Sequence, residues 1–285
     1  MVVARQAKTM VEKGMVPLSL FKGIKPNDYE LKPGEIVTIC GPKGHGKTTL
    51  TAHIATSEML PNKAWYKVRE ARAEAKNLRL CGFRYAFVPE NVKHLVFSEI
   101  PIRTCSDQGY LPRWAHKLDF DRMLLPNGKN NAQFFPYGAI LVIDELMNKF
   151  AARDYTSGKM PKEMCDFLRL IRHRGISVVT NSLVPTGADK GVRDMSQTYM
   201  LIVHRADDWY HGKPRTTWYC LEFDNDKSCA KFAENPYRKG INYVPYVFEH
   251  VGDIHKCVDS NGENDKFLVG MRKRPIEFKS WRRAA

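Results

Sequence analysis

Eight consecutive residues, 41–48, have the types and spacing of a loop that binds a polyphosphate: Gly-Pro-Lys-Gly-His-Gly-Lys-Thr. Glycines allow backbone N–H groups to turn inward around phosphate oxygens, and the start of a following helix adds unpaired N–H groups and a positive dipole. Lys47 is predicted to reach the β- and γ-phosphates of ATP, and the Thr48 hydroxyl to hold Mg²⁺. The predicted nucleotide-contacting residues are Gly41, Pro42, Lys43, Gly44, His45, Gly46, Lys47, Thr48 and Thr49.

The sequence on both sides of this loop favours the phosphate-binding interpretation over an accidental glycine-rich turn. Residues 35–40 form an apolar run that predicts a strand, and residues 49–55 are compatible with a helix. A strand before the loop and a helix after it are the context that the motif requires.

An acidic pair, Asp144 and Glu145, follows the short β-rich run 139–143. In a parallel sheet the C-terminal end of such a strand faces the same crevice as the phosphate loop. Asp144 is therefore predicted to hold Mg²⁺, directly or through water. Glu145 is predicted to orient and activate the water that attacks the γ-phosphate. The alternative is that the pair simply caps a turn.

The apolar residues at 164, 167, 168 and 171 recur at helical spacing and predict a helix that Gly175 ends. A basic cluster that includes Arg172 precedes Gly175, and the strand predicted over 176–180 ends just before Asn181. The cluster can complement the dipole of its own helix. In the sharper interpretation Arg172 is an arginine finger that acts on the nucleotide of a neighbouring subunit. The Asn181 amide is placed to hydrogen-bond the γ-phosphate or the attacking water. Spacing alone leaves both roles open against purely structural ones.

The alternation of strands and helices predicts an α/β fold with a mainly parallel central sheet and right-handed crossovers. Residues 1–33 are expected to be an N-terminal lead-in, and 34–208 the P-loop core with an irregular insertion at about 103–137. After about residue 209 the pattern changes to short β-like pieces. A small β-rich appendage with a basic tail is therefore expected over 209–285.

The charge balance of the chain points to a polyanionic partner. Its 285 residues include 45 Lys and Arg against 31 Asp and Glu, a net charge of +14. Nucleic acid is the first candidate and an anionic membrane surface the second, with a merely soluble basic protein as the alternative. Binding to DNA would be made mostly through phosphates and would be independent of sequence.

The cysteine pattern and the N-terminal residues indicate in which cellular compartment the protein is expected. Seven cysteines are scattered without a C-x-x-C pair, which favours reduced thiols over a zinc site or a disulfide framework. The first residues lack a signal-peptide core, and the longest apolar runs are too short to span a bilayer. The expected location is the cytoplasm, with no direct membrane span.

Taken in this order, the motifs resemble the FtsK–HerA branch of P-loop ATPases, and more closely the zonula-occludens-toxin-like (Zot-like) ATPases of filamentous phages. The resemblance rests on the aromatic-proline segment 134–138 before the acidic strand, on the Arg-His-x-Gly pattern of 172–175, and on Asn181 followed by Arg193. It extends over residues 35–270 and is loose beyond 210. The family usually carries glutamine where Asn181 stands, and filamentous-phage members usually have a membrane-spanning segment after the ATPase domain.

The resemblance implies a RecA-like P-loop NTPase fold. It also implies an ATP-driven motor that moves phage DNA during virion assembly, with Arg172 as the finger and Asn181 in the sensor position. A soluble ring, expected to be a hexamer, that packages DNA into a preformed capsid is the preferred prediction. A capsid or portal protein is then a candidate partner, and the location is the host cytoplasm or the virion. The alternatives are a Zot-like ATPase that drives filament extrusion at a membrane complex, a small-molecule P-loop kinase, and a binding module with an inactive nucleotide site.

Overall fold

The computed structural model describes residues 10–57, 96–100, 102, 115–118, 135, 138–145, 162–187, 193–254 and 258. In chain order the helices and strands are β1 (Ile36–Cys40), α1 (Lys47–Ser57), β2 (Val96–Ser98), β3 (Ala115–Lys117), β4 (Ile140–Ile143), α2 (Lys162–His173), β5 (Ser177–Ser182), β6 (Thr198–Tyr210), β7 (Lys213–Phe223), α3 (Asp226–Glu234) and β8 (Val244–Val251).

The eight strands form one sheet in the order β3-β2-β4-β5-β1-β6-β7-β8. The first six strands in that order are mutually parallel, and β7 and β8 are antiparallel to their neighbours. β1, β2, β4 and β5 are buried along their whole length, and in β1, β2 and β4 most residues are apolar. The predicted α/β fold with a mainly parallel central sheet is confirmed.

Both faces of this sheet are covered, and β6 shows how the sequence divides between them. Met200 and Ile202 pack in one core with Leu50 of α1, whereas Tyr199 and Leu201 pack in another with residues of α3. Side chains of a strand alternate between faces, so an uninterrupted apolar run serves two cores at once.

Helix α2 ends where the sequence predicts. Phe167, Leu168 and Ile171 recur at helical spacing and are buried. Gly175 has φ 62°, and its N–H donates to the carbonyl of Arg172 at 3.0 Å, which terminates the helix. The residues of α2 just before this turn therefore lie at the edge of the sheet where β5 begins.

The β-rich segment after residue 209 continues the central sheet through β7 and β8. β6 crosses the expected boundary at 208/209 and pairs with β7 as far as Tyr210 and Lys213. β8 then pairs with β7, so the sheet continues to residue 251. This continuity arises because β6 is 13 residues long, far longer than its neighbour β1.

The segment 103–137, expected to be an irregular insertion, also contributes to the sheet. Its residues 115–117 form β3, which pairs in parallel with β2 at the edge. Most of that segment lies outside the described residues, as does the basic tail after residue 258.

The lead-in packs onto the sheet rather than forming a domain of its own. Val16 and Phe21 join the core on one face, and Tyr29 and Leu31 join the core on the other.

In the part of the chain that the structure describes, no helix has the length and apolar character needed to cross a bilayer.

Candidate nucleotide-binding site

The predicted phosphate loop connects the end of β1 to the start of α1. Cys40 is the last residue of β1 and Lys47 the first of α1, so the loop occupies 41–46 at the C-terminal edge of the parallel strands. Lys43 and Gly44 are exposed, whereas Gly41 and His45 are buried and Pro42 is half-buried. The loop therefore presents its central residues to solvent and anchors its two ends in the core.

Gly46 occupies a position that no other residue type fits without strain. Its φ is 76°, in the left-handed region, and a β-carbon there would lie 2.8 Å from the Thr49 hydroxyl oxygen. The same hydroxyl donates to the Gly46 carbonyl at 2.8 Å, and Thr49 is only 2% exposed. The loop is thus closed onto the first turn of α1, the compact geometry that a phosphate cradle requires.

Lys47 is a desolvated cation between the loop and the acidic pair. It is 9% exposed, and its Nζ donates to the Pro42 carbonyl at 3.0 Å. Burial lowers the pKa of Lys47, and the negative charges of Glu145 and Asp144 oppose that shift. A phosphate group in the loop would supply the strong anionic partner that the Pro42 carbonyl does not.

Thr48 and Asp144 come together although they are 96 positions apart. The Thr48 hydroxyl donates to Asp144 Oδ1 at 3.3 Å, across the gap between the start of α1 and the end of β4. A hydroxyl and a carboxylate are hard oxygen ligands of the kind that Mg²⁺ takes beside a phosphate. The donor set therefore fits the predicted metal, with nucleotide phosphate and water completing the coordination.

Asn181 holds the acidic pair in place. Its side-chain amide donates to Asp144 Oδ1, and its carbonyl oxygen accepts the backbone N–H of Glu145 at 3.2 Å. Asn181 is 1% exposed at the end of β5, the strand between β4 and β1. The amide is at the strand tip where the sequence predicts it, and its observed contacts are with the acidic pair.

Glu145 is exposed and has φ 45°, a left-handed conformation that is uncommon for any residue other than glycine. The hydrogen bond of its N–H to Asn181 stabilises that turn. A carboxylate on a strained turn beside a phosphate loop is typical of functional positions. This conformation turns the chain directly after Asp144, so Asp144 is half-buried and Glu145 is exposed to solvent.

The sequence analysis missed Glu99, which follows β2. Its Oε2 accepts the backbone N–H of Asp144 at 3.1 Å, and its own N–H donates to the Val142 carbonyl at the same distance. The available signal was an acid directly after the β-rich residues 95–98, but nothing in the local sequence marks β2 as the neighbour of β4.

Arg172 lies near the N-terminal end of β1, whereas the phosphate loop follows the C-terminal end of the same strand. Its carbonyl oxygen is 2.8 Å from the position of a β-carbon on Gly34, just before β1 begins. Since β1 has five residues, the loop at its other end is about 17 Å away. The Arg172 side chain is exposed, and with Arg169 and His173 it lines a pocket of about 820 Å³. Arg172 is therefore separated from the nucleotide site of its own chain.

Arg193, which belongs to the motif pattern of the resembled family, forms a structural ion pair. Its Nη1 lies 2.5 Å from Asp226 Oδ2, in the first turn of α3. The pair fastens the loop before β6 to that helix.

Replacing Asn181 with alanine is expected to lower the free energy of unfolding by about 2–3 kcal/mol, because one of its hydrogen bonds is to a charged group and the Glu145 N–H is left without its acceptor. Urea unfolding measures the effect. Ser177→Ala is the matched control at the other end of β5, where the hydroxyl donates only to the Lys32 carbonyl at 2.9 Å. Equal losses in both variants would contradict a special role for the amide.

Comparison with solved structures finds several to which this chain is similar. The N-terminal domain of zonular occludens toxin from Neisseria meningitidis is similar, with 16% identity over 80% of this chain and 100% of that chain and a TM-score of 0.45. The genome packaging NTPase B204 from Sulfolobus turreted icosahedral virus 2 follows, with 12% identity over 75% and 98% and a TM-score of 0.38. Flagellar accessory protein FlaH from Methanocaldococcus jannaschii matches with 12% identity over 78% and 91% and a TM-score of 0.34.

No protein-family model and no curated protein sequence matches the chain. The zonular occludens toxin domain, to whose family the sequence motifs point, is thus among the solved structures that the chain is similar to. The loop, the sheet order and the acidic strand described above fit an α/β RecA-like fold.

Proposed function

We propose that this protein is an ATP-hydrolysing motor that moves DNA during virion assembly, working as a ring of identical subunits. The observation that carries the hydrolytic part is the convergence of Thr48, Asp144 and Glu145 beside the loop, with Asn181 fixing the acids. A kinase that passes phosphate to its own substrate needs no carboxylate to activate water, so Glu145 favours hydrolysis.

The side chains divide the chemistry among them. Backbone N–H groups of the loop 41–48, other than at Pro42, and the Lys47 ammonium bind the β- and γ-phosphates. Thr48 and Asp144 would hold Mg²⁺, which would neutralise charge on the phosphates when bound. Glu145 accepts a proton from the attacking water as the water oxygen bonds to the γ-phosphorus and the bond to the β-phosphate oxygen breaks. Asn181 positions both acids for these steps.

The partner is inferred from charge. A net charge of +14 favours a polyanion, and phosphate contacts would let a motor move along DNA regardless of sequence. Genome packaging as the setting is taken from the sequence motifs that resemble Zot-like and FtsK–HerA ATPases. A capsid or portal protein is the corresponding docking partner.

The ring is inferred from the position of Arg172. An exposed arginine about 17 Å from its own phosphate loop has no access to that nucleotide, but a head-to-tail neighbour can bring its loop to this edge. Such heterologous contacts close into rings when the rotation between subunits permits.

The proposal is tested by measuring ATP hydrolysis with and without single-stranded and double-stranded DNA, alongside the mass of the oligomer. Stimulation by either DNA and a mass of several subunits are the expected results, with a steep loss of stimulation as salt is raised. ATP turnover that DNA leaves unchanged, accompanied by phosphate transfer to a small acceptor, would instead identify a kinase.

Lys47→Ala is the negative control for that assay and a prediction in itself. The variant is expected to lose ATP turnover because it removes the cation that neutralises the β- and γ-phosphates. Lys231→Ala is the control, since Lys231 is an exposed lysine of α3, outside the phosphate loop. Retained turnover in Lys47→Ala would show that hydrolysis takes place elsewhere or comes from a contaminant.

A further inference from the structure

Three polar side-chain atoms converge on the last glycine of the phosphate loop. A β-carbon on Gly46 would stand 2.8 Å from Thr49 Oγ1, 2.9 Å from Arg205 Nη1 and 2.9 Å from Trp218 Nε1. Thr49 belongs to α1, whereas Arg205 of β6 and Trp218 of β7 are a directly paired cross-strand couple. The part of the β6–β7 hairpin around Arg205 and Trp218, here called the base of the hairpin, therefore lies against the nucleotide loop.

The Arg205 guanidinium is held with one nitrogen directed at the loop. Its Nε and Nη2 donate to Asp207 Oδ1 at 3.2 and 3.0 Å, and the side chain is 15% exposed. Asp207 is itself fixed by the Thr216 hydroxyl at 2.7 Å. Within the described residues Nη1 donates no hydrogen bond, and it is the nitrogen beside Gly46. A small-molecule anion in the loop would supply its acceptor.

Trp218 gives a second, independent indication at the same point. Its side chain is fully buried, and among the described residues its indole N–H has no acceptor. A buried N–H without a partner is costly, so this donor directed at the loop marks a place where the structure is completed by something else.

The sheet order shows which part of a nucleotide would lie there. In the sequence β4-β5-β1-β6, Asp144 and Asn181 are on one side of the loop and Arg205 is on the other. Thr48 and Asp144, 3.3 Å apart, place the metal and the γ-phosphate on the β4 side. A triphosphate lying along the loop then directs its α-phosphate and nucleoside towards β6.

We propose that Arg205 binds the α-phosphate of the nucleotide from within the same subunit, and that the base of the β6–β7 hairpin forms the nucleoside side of the site. The inference rests on the nucleotide binding in the proposed function, but on neither DNA movement nor the ring. Arg205 then adds a second cationic side chain, after Lys47, to the nucleotide site, on the β6 side of the loop.

The test compares the dissociation constants of ATP and ADP, measured by calorimetry, for the wild type and for Arg205→Gln. Because both ligands carry the α-phosphate, loss of a charge-assisted hydrogen bond is expected to weaken both by a similar factor of about 10- to 100-fold. Weakening confined to ATP would place Arg205 at the γ-phosphate and overturn the proposal, and so would unchanged constants for both ligands.

Arg215→Gln is the matched control on the same hairpin. Its guanidinium donates to Asp208 at 2.7 Å and to Glu249 at 3.3 Å, away from Gly46, so both dissociation constants should stay at the wild-type value. A similar loss in this control would mean that the hairpin charge acts non-specifically and would overturn the proposal.

Arg205→Lys covers the case in which the glutamine variant fails to fold. Lysine keeps the charge but cannot bond Asp207 and the phosphate with one planar group, so a smaller loss for both nucleotides is expected. Unchanged constants in this variant would count against the assignment. Absence of nucleotide binding by the wild type would instead refute the proposed function, which separates the two failures.

Discussion

Arg172→Ala is expected to lower the rate of ATP hydrolysis by about 10³- to 10⁵-fold if the arginine acts as a finger on a neighbouring subunit. Affinity for ATP should change little, because the binding loop lies at the other edge of the same chain. Steady-state hydrolysis at saturating ATP, with affinity measured separately, checks both parts. Arg169→Ala is the control, since Arg169 lines the same pocket one turn earlier and pairs with Asp166 at 3.6 Å.

Mixing experiments distinguish action between subunits from a structural effect. Subunits carrying Lys47→Ala keep Arg172, and subunits carrying Arg172→Ala keep an intact loop. When the two are mixed under conditions that allow exchange, some interfaces should combine both intact parts and recover activity. Mixtures that stay inactive, or an equal loss in Arg169→Ala, would contradict the finger assignment.

Glu145→Gln should retain ATP binding and lose hydrolysis by about 10²- to 10⁴-fold, the usual contribution of a general base. Glutamine keeps the size of the side chain and leaves the backbone N–H bonded to Asn181, so the turn at φ 45° should persist. Single-turnover hydrolysis and calorimetric ATP binding on the same sample measure the two quantities.

Glu234→Gln is the control for this substitution, because Glu234 is an exposed glutamate at the end of α3. Normal hydrolysis by Glu145→Gln would assign the base to another group, and Glu99 would then be the first to examine because it already contacts the Asp144 backbone. Loss of binding together with hydrolysis would indicate a collapsed site.

Much of the fold could be predicted from the sequence because it depends on residues that are close together along the chain. The phosphate loop is eight consecutive residues between an apolar run and a helix, and the structure has β1 and α1 on either side of it. The end of α2 followed from the spacing of Phe167 and Ile171 and from Gly175. These signals are local, so a single sequence contains them.

The length of β6 was the main structural feature that could not be predicted from local sequence patterns. Its second half carries Arg205, Asp207, Asp208 and other polar residues, which look like the end of a strand. In the structure this half pairs with β7 beyond the body of the sheet, where the two-residue turn at His211 and Gly212 has φ 49° and 73°. Cross-strand pairing, rather than burial, sustains the strand there.

By itself the sequence determined the phosphate loop, the apolar strands, the acidic pair and the positive charge, because each is a property of residue types at short spacing. Only the tertiary structure decided that Thr48 meets Asp144, that Asn181 and Glu99 hold the acids, that Arg172 lies at the far edge, and that Arg205 and Trp218 reach Gly46. The physical reason is that strand order and register arise from packing between segments far apart in the chain, and neither is visible in the periodicity of any one of them.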